Sequence, residues 1–184
     1  CALPIWLLLA GGVVLLEKDQ GVHDSLFVTP VRLREYLLAK AVSISIISVG
    51  AAWAIQLPAL GFPKMPLHFT LGVFLTSCLF TFLSFGVVTR SNGINGFIWL
   101  SQLYALPFAV PLAGFFGIGP PALYSVLPTQ GTLLLLAAAH RPVSAMEAFC
   151  AYAVLSAGTA AAYVWGRRSF ARRILSRVGE GAAR

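Results

Sequence analysis

Residues 91–140, SNGINGFIWLSQLYALPFAVPLAGFFGIGPPALYSVLPTQGTLLLLAAAH, run for 50 positions without one Lys, Arg, Asp or Glu. A helix needs about 20 mostly apolar residues to cross the hydrocarbon core of a bilayer. The stretch therefore has room for one crossing or two, and that choice decides the topology of the chain. Residues 94–116 make one candidate span, which carries Pro107 and Pro111. Gly117, Gly119, Pro120 and Pro121 then break the helix. Residues 122–139 are apolar again and form the contested piece.

Charge decides between the alternatives. The other uncharged runs are 1–16, 41–63, 65–89 and 148–166. They predict spans at 1–16, 37–57, 67–89 and 145–166, with the second ended by Pro58, Gly61 and Pro63. If 122–139 stays on one side, five spans result. Lys18, Arg32, Arg34, Lys40, Arg90, Arg167, Arg168, Arg172, Arg173, Arg177 and Arg184 then share one face of the membrane, and only Lys64 and Arg141 the other, 11 against 2. A crossing by 122–139 would turn this into 6 against 7. Basic loop residues concentrate on the cytoplasmic side, so the five-span topology is the expectation. Residues 122–139 then form a re-entrant segment on the outer side. Residues 17–36 form a cytoplasmic loop, and 167–184 a cytoplasmic basic tail that anchors the topology and attracts anionic headgroups.

Composition agrees with a membrane class. Of the 184 residues 58% are hydrophobic and 10% charged, against roughly 25% charged in soluble domains. Disordered chains have the opposite bias. A net charge of +7 would suit nucleic acid, but the charges are clustered at a few places, so no nucleic-acid partner is expected. Cys1, Cys78 and Cys150 are too few and scattered for a disulfide framework or a metal site. The expectation is an all-α polytopic membrane protein with one transmembrane domain over residues 1–184. Five spans with the first residue outside, and no initiator Met, also suggest a sixth span upstream of Cys1.

The loop before the second span is the most specific stretch. It reads EKDQGVHDSLFVTP over residues 17–30 and continues VRLREYLLAK to Lys40. Pro30 suits the first position of a helix, with Thr29 as its N-cap. Val22, Leu26 and Phe27 give the preceding short helix an apolar side, which a protein partner could cover.

At these residues the sequence resembles the membrane subunits of type-2 ABC exporters, and Glu17, Gly21, Leu26, Val28, Thr29, Pro30, Arg34, Glu35 and Lys40 stand at matching positions. Val22, His23, Asp24 and Ala39 depart from the family's usual Thr, apolar residue, Glu and Gly. The segment Tyr124-Ser125-Val126-Leu127-Pro128-Thr129-Gln130 is also similar to the outer-side stretch of fluoroquinolone-export permeases. The resemblance implies six spans, cytoplasmic ends, and pairing with a second permease subunit, as homodimer or heterodimer. It also implies a coupling helix that docks on an ATP-binding subunit, with Glu17, Gly21, Asp24, Leu26, Phe27, Thr29 and Pro30 as the coupling residues.

The sequence carries no G-x-x-x-x-G-K-[ST], H-E-x-x-H or G-x-S-x-G motif. No enzyme chemistry and no cofactor are expected in this chain, so ATP and Mg would belong to the partner subunit. The span centres hold no charge, which disfavours a proton or ion pathway and suits hydrophobic or amphiphilic cargo, drug-like or lipid-like. Thr70, Ser77, Thr81 and Ser84 share one helical face and are the candidate cargo path, although small hydroxyl residues also pack helices together. Ser45, Ser48, Ala52 and Gln56 make a similar stripe. The function these readings suggest is the permease subunit of an ATP-driven exporter in a bacterial plasma membrane. The alternative is a non-transporting membrane scaffold or immunity protein. The topology predicts that single cysteines placed at Ser125 and at Ser144, in a cysteine-free background, both react with an impermeant thiol reagent from outside. Labelling of the two from opposite sides would rule out five spans.

Overall fold

The computed structural model describes residues 11–16, 33–91, 93–115, 127–137 and 140–181. Among them every regular element is helical. Residues 11–16 are helical, followed by α1 (Leu33–Leu60), α2 (Pro66–Val88), α3 (Ile94–Phe115), α4 (Pro128–Ala137) and α5 (Ala145–Gly181). Three stretches are long and apolar enough to cross a membrane: Leu33–Leu60, Pro66–Val88 and Ala145–Arg172. The coupling residues Glu17, Gly21, Asp24, Leu26, Phe27, Thr29 and Pro30 lie outside the described residues, as do residues 122–126 and 138–139 of the contested piece.

Local chemistry sets the helix ends. Pro66 occupies the first turn of α2, where its missing N–H costs nothing, and Met65 O accepts the Phe69 N–H at 3.2 Å. A capping box opens α5: Ser144 N donates to Glu147 Oε2 at 3.0 Å and Glu147 N to Ser144 Oγ at 3.2 Å. Of Pro58, Gly61 and Pro63, the residues expected to end the second span, Gly61 is the one that stops the helix. Helix α1 runs through Pro58 to Leu60 and stops at Gly61, whose φ is 77°. Proline this near the end deletes one backbone hydrogen bond and no more, whereas the left-handed turn is the actual stop. Gly61 N donates to Leu57 O at 3.1 Å, and Gln56 Nε2 reaches Gly61 O at 3.4 Å.

The chain falls into two compact units. The first holds residues 1–41, 80–105 and 162–184, the second 42–79 and 106–161. Among the described residues the first unit contains Arg34, Lys40, Arg90, Arg167, Arg168, Arg172, Arg173 and Arg177, whereas the second contains Lys64 and Arg141. Its core is aromatic and aliphatic: Phe80, Phe85 and Phe97 are buried with Leu15, Leu37, Val87 and Val88. Phe82 meets Tyr163 edge-on at 5.1 Å, and a Cβ on Gly166 would lie 2.5 Å from Phe82 O, so α2 and α5 touch backbone to backbone.

The second unit is built around α4. Ten residues of α-helix are about 15 Å long, half the hydrocarbon thickness, so α4 by itself does not cross. Its buried side carries Thr129, Gly131, Thr132 and Leu135. Helix α2 receives Leu135 against Gly72, where a Cβ would sit 2.7 Å from the Leu135 Cβ. Helix α5 receives Gly131 against Ala151 O, also at 2.7 Å from an added Cβ, and offers Gly158 to Pro128 Cγ at 2.5 Å. In hydrocarbon such small-residue approaches are a main source of helix association.

Burial separates the helices. In the most apolar part of α2 78% of residues are buried, against 17% for α1 and 22% for α5. Helix α2 is the interior element. The exposed Ile46, Ile47 and Ile55 of α1 and Met146 and Phe149 of α5 suit a hydrocarbon solvent. The glycine contacts predict a graded effect. Gly131→Ala places a methyl against a backbone oxygen and should cost about 1–3 kcal/mol, as overpacking does. Gly50→Ala, whose Cβ meets open space, should be neutral or mildly stabilising. Thermal aggregation midpoints in detergent report both.

Candidate functional site

The hydroxyl residues of α2 are where polar chemistry enters the apolar interior. Within the second unit, Ser48 Oγ and Ser77 Oγ lie 2.8 Å apart, and Ser45 Oγ lies 3.1 Å from Cys78 Sγ. Trp53 Nε1 donates to Thr70 Oγ1 at 3.0 Å, and Thr76 Oγ1 meets Thr132 Oγ1 at 2.9 Å. Helix α2 is thus hydrogen-bonded to α1 through three side-chain pairs and to α4 through one.

The hydrogens can be apportioned, because each hydroxyl owns one. Thr70 Oγ1 lies 2.8 Å from Pro66 O and Thr76 Oγ1 2.6 Å from Gly72 O, so both donate to their own helix. They then accept from Trp53 and from Thr132. Thr132 Oγ1 is 3.5 Å from its own Pro128 O, a poor alternative, which leaves its hydrogen for Thr76. Ser48 Oγ also donates to Ile44 O at 2.8 Å. Thr159 Oγ1 donates to Leu155 O at 2.8 Å and lies 3.5 Å from Leu75 O. Back-bonding of this kind leaves a lone pair on each hydroxyl facing a neighbouring helix.

The four candidate cargo-path residues divide between the units. Thr70 and Ser77 belong to the second and bond to α1. Thr81 and Ser84 belong to the first and are buried, with Ser84 Oγ donating to Thr81 O at 2.7 Å. The parallel stripe on α1 is also engaged, since Ser45 and Ser48 are buried against α2 and Gln56 bonds Gly61. Aromatic rings pack around the Trp53 end of this seam: Trp53 stands edge-on to Phe69 at 5.8 Å and tilts on Phe62 at 5.5 Å.

Several participants escaped the sequence reading. Thr129 Oγ1 and Tyr152 OH are buried atoms without a hydrogen-bond partner, an arrangement that costs about 1–3 kcal/mol for each group. Tyr152, like Met65, packs against the cluster of Val143 and Ala148, with its ring 5.9 Å from that of His68. The one available signal for α4 was the pair Thr129 and Thr132, three apart on one helical face and matching the hydroxyl stripe of α2. Among the described residues no group of three His, Cys, Asp or Glu side chains is placed to hold a metal ion.

Residues 4–178 match the fluoroquinolones export permease protein family. The chain belongs to that family. Two Mycobacterium tuberculosis proteins, one from each of two strains and both named fluoroquinolones export permease protein, are 30% identical to this permease over 148 residues. Those residues are 79% of this chain and 62% of the relatives, so it spans less than two thirds of their length. No solved structure matches it. The hydroxyl pairs of the permease are measurable by double-mutant cycles. Ser48→Ala with Ser77→Ala, and Thr76→Val with Thr132→Val, should each show coupling of about 0.6 kcal/mol, and below about 2 kcal/mol, in refolding from denaturing detergent.

Proposed function

We propose that this chain is the membrane-spanning permease subunit of an ATP-driven exporter for hydrophobic or amphiphilic cargo, in a bacterial plasma membrane. Family membership across residues 4–178 carries the reading. The relatives' names point to fluoroquinolones, planar aromatic drugs with both polar and apolar faces, as the cargo class. A separate ATP-binding subunit supplies ATP and Mg, and a second permease subunit completes the membrane part.

The proposed topology has five spans at 1–16, 37–57, 67–89, 94–116 and 145–166, with 122–139 re-entrant. Two observations support it. Helix α4 is half the length of a crossing, and residues 106–161, which include α4, all belong to one compact unit. The ends of α1, α2 and α5 that carry the described basic residues would face the cytoplasm, as would the loop 17–36 and the tail 167–184.

Force would enter through Glu17, Gly21, Asp24, Leu26, Phe27, Thr29 and Pro30, docked on the ATP-binding subunit. It would be felt at α1, which follows that loop directly. Separation of α1 from α2 would break hydroxyl pairs worth little individually. Thr70, Ser77, Thr81 and Ser84 would then offer cargo an uncharged, hydrogen-bonding path. Weak pairs suit such a role, because a seam that opens in every cycle cannot be strongly bonded.

The test is assembly followed by transport. Leu26→Asp should leave membrane insertion intact while abolishing co-purification of the ATP-binding subunit, since an apolar anchor typically contributes ~2 kcal/mol or more and an unpaired charge adds a penalty. Arg177→Ala should leave the complex assembled. Retention of both the partner and cargo-stimulated ATP hydrolysis by Leu26→Asp would reduce residues 17–30 to a connecting loop.

A further inference from the structure

Arg90 lies two residues beyond the end of α2, where a basic side chain ordinarily caps the last helix carbonyls. Those carbonyls are already occupied. Thr89 Oγ1 donates to Gly86 O at 2.8 Å, Arg90 N to Val87 O at 2.9 Å, and Ser91 Oγ to Val88 O at 3.0 Å. The guanidinium lies on two aromatic rings instead. Its Cζ is 4.8 Å from the centre of the Trp165 ring and 5.8 Å from that of Tyr104, and it donates to the Tyr104 hydroxyl. Trp165 is held in turn by Gly86, where any Cβ would collide with the indole, and by Tyr104 at 5.5 Å.

This arrangement fixes a cation without neutralising it. A guanidinium has five N–H donors and the phenol accepts one. Among the described residues no carboxylate pairs with Arg90, and its side chain is partly exposed. The described acids of its unit, Glu35 and Glu180, are outnumbered by eight basic residues. The apolar length of α2 ends at Val88, which sets Arg90 at headgroup depth. Amphipathic Tyr and Trp rings favour that depth too. Rigid, unpaired guanidinium donors at the level of lipid phosphates match a phosphodiester, which accepts two parallel N–H bonds.

We infer that Arg90, held by Tyr104 and Trp165, is a binding site for the phosphate of an anionic phospholipid headgroup. The site joins the end of α2 to α3 and α5, so an occupied site would brace three helices at the membrane surface. Free phosphate presents the same oxyanion chemistry but lacks the acyl chains that would lie along the apolar helices.

Native mass spectrometry of the intact chain in detergent, titrated with phosphatidylglycerol or phosphatidylcholine, distinguishes these cases. Phosphatidylcholine carries the same phosphodiester, but its quaternary ammonium neutralises and competes for it, so the unaltered protein should retain phosphatidylglycerol about tenfold better than phosphatidylcholine. Arg90→Gln should bring the two to parity, while Arg167→Gln with Arg168→Gln should preserve the preference. Arg90→Lys keeps the charge without the planar fork and should lower the preference several-fold, which decides the matter if Arg90→Gln does not fold. A preference unchanged in both Arg90 variants, or lost only with Arg167 and Arg168, would overturn the site. Binding of inorganic phosphate at matched ionic strength, with no preference between the two lipids, would overturn the lipid assignment.

Discussion

Hydrocarbon offers no water to a stranded hydroxyl, so each polar atom on a membrane-crossing helix must find its partner within the protein. Helix α2 carries the heaviest load of such atoms and is also the most buried of the three candidate spans. Its Thr70 and Thr76 donate to their own backbone and pair with Trp53 of α1 and Thr132 of α4. The neighbours of α2 are thereby chosen by donor and acceptor matching as much as by shape. Apolar burial does not discriminate here, because lipid tails are as apolar as leucine side chains.

Glycine supplies the second half of that arrangement. Gly72 on α2, Gly131 on α4 and Gly158 on α5 each remove a side chain where another helix needs to approach. The result is a ten-residue helix seated between two longer ones, with its polar atoms covered by protein. The same logic holds in the first unit, where Gly86 and Gly166 admit Trp165 and the backbone of Phe82.

For a permease the energetic scale of these contacts matters. Interhelical hydrogen bonds in membranes average about 0.6 kcal/mol, because partners are also available when the helices separate. A bundle joined by several such bonds is ordered yet rearranges without a large barrier at any one pair. The unpartnered oxygens of Thr129 and Tyr152 are the exceptions, polar atoms held in the interior without a bond to lose. Eight of the ten described basic residues belong to the first unit, where Arg90 is held by aromatic rings rather than by acids.

The apolar runs and their breaks were enough to place α1, α2, α3 and the start of α5 to within a few residues, because membrane thickness sets the apolar length and charge cannot enter cheaply, whereas α5 continues past residue 166 to Gly181 through the basic tail. Of the three breakers expected after residue 57, Gly61 supplied the stop, since a proline in a last turn deletes only a single bond. The hydroxyl stripe of α2 was visible as a period of three and four. Its partners were not, because Ser77 could have faced any neighbour until α1 and α4 were placed beside it. Likewise Arg90 read as one more basic residue in a charge count. Only the fold brought Tyr104, 14 positions later, and Trp165, on another helix, to its guanidinium. Sequence alone determined which segments can leave water, since transfer free energy accumulates along the chain. Which polar atoms meet was decided by tertiary structure, since a hydrogen bond requires two groups within about 3 Å and no linear pattern fixes that distance.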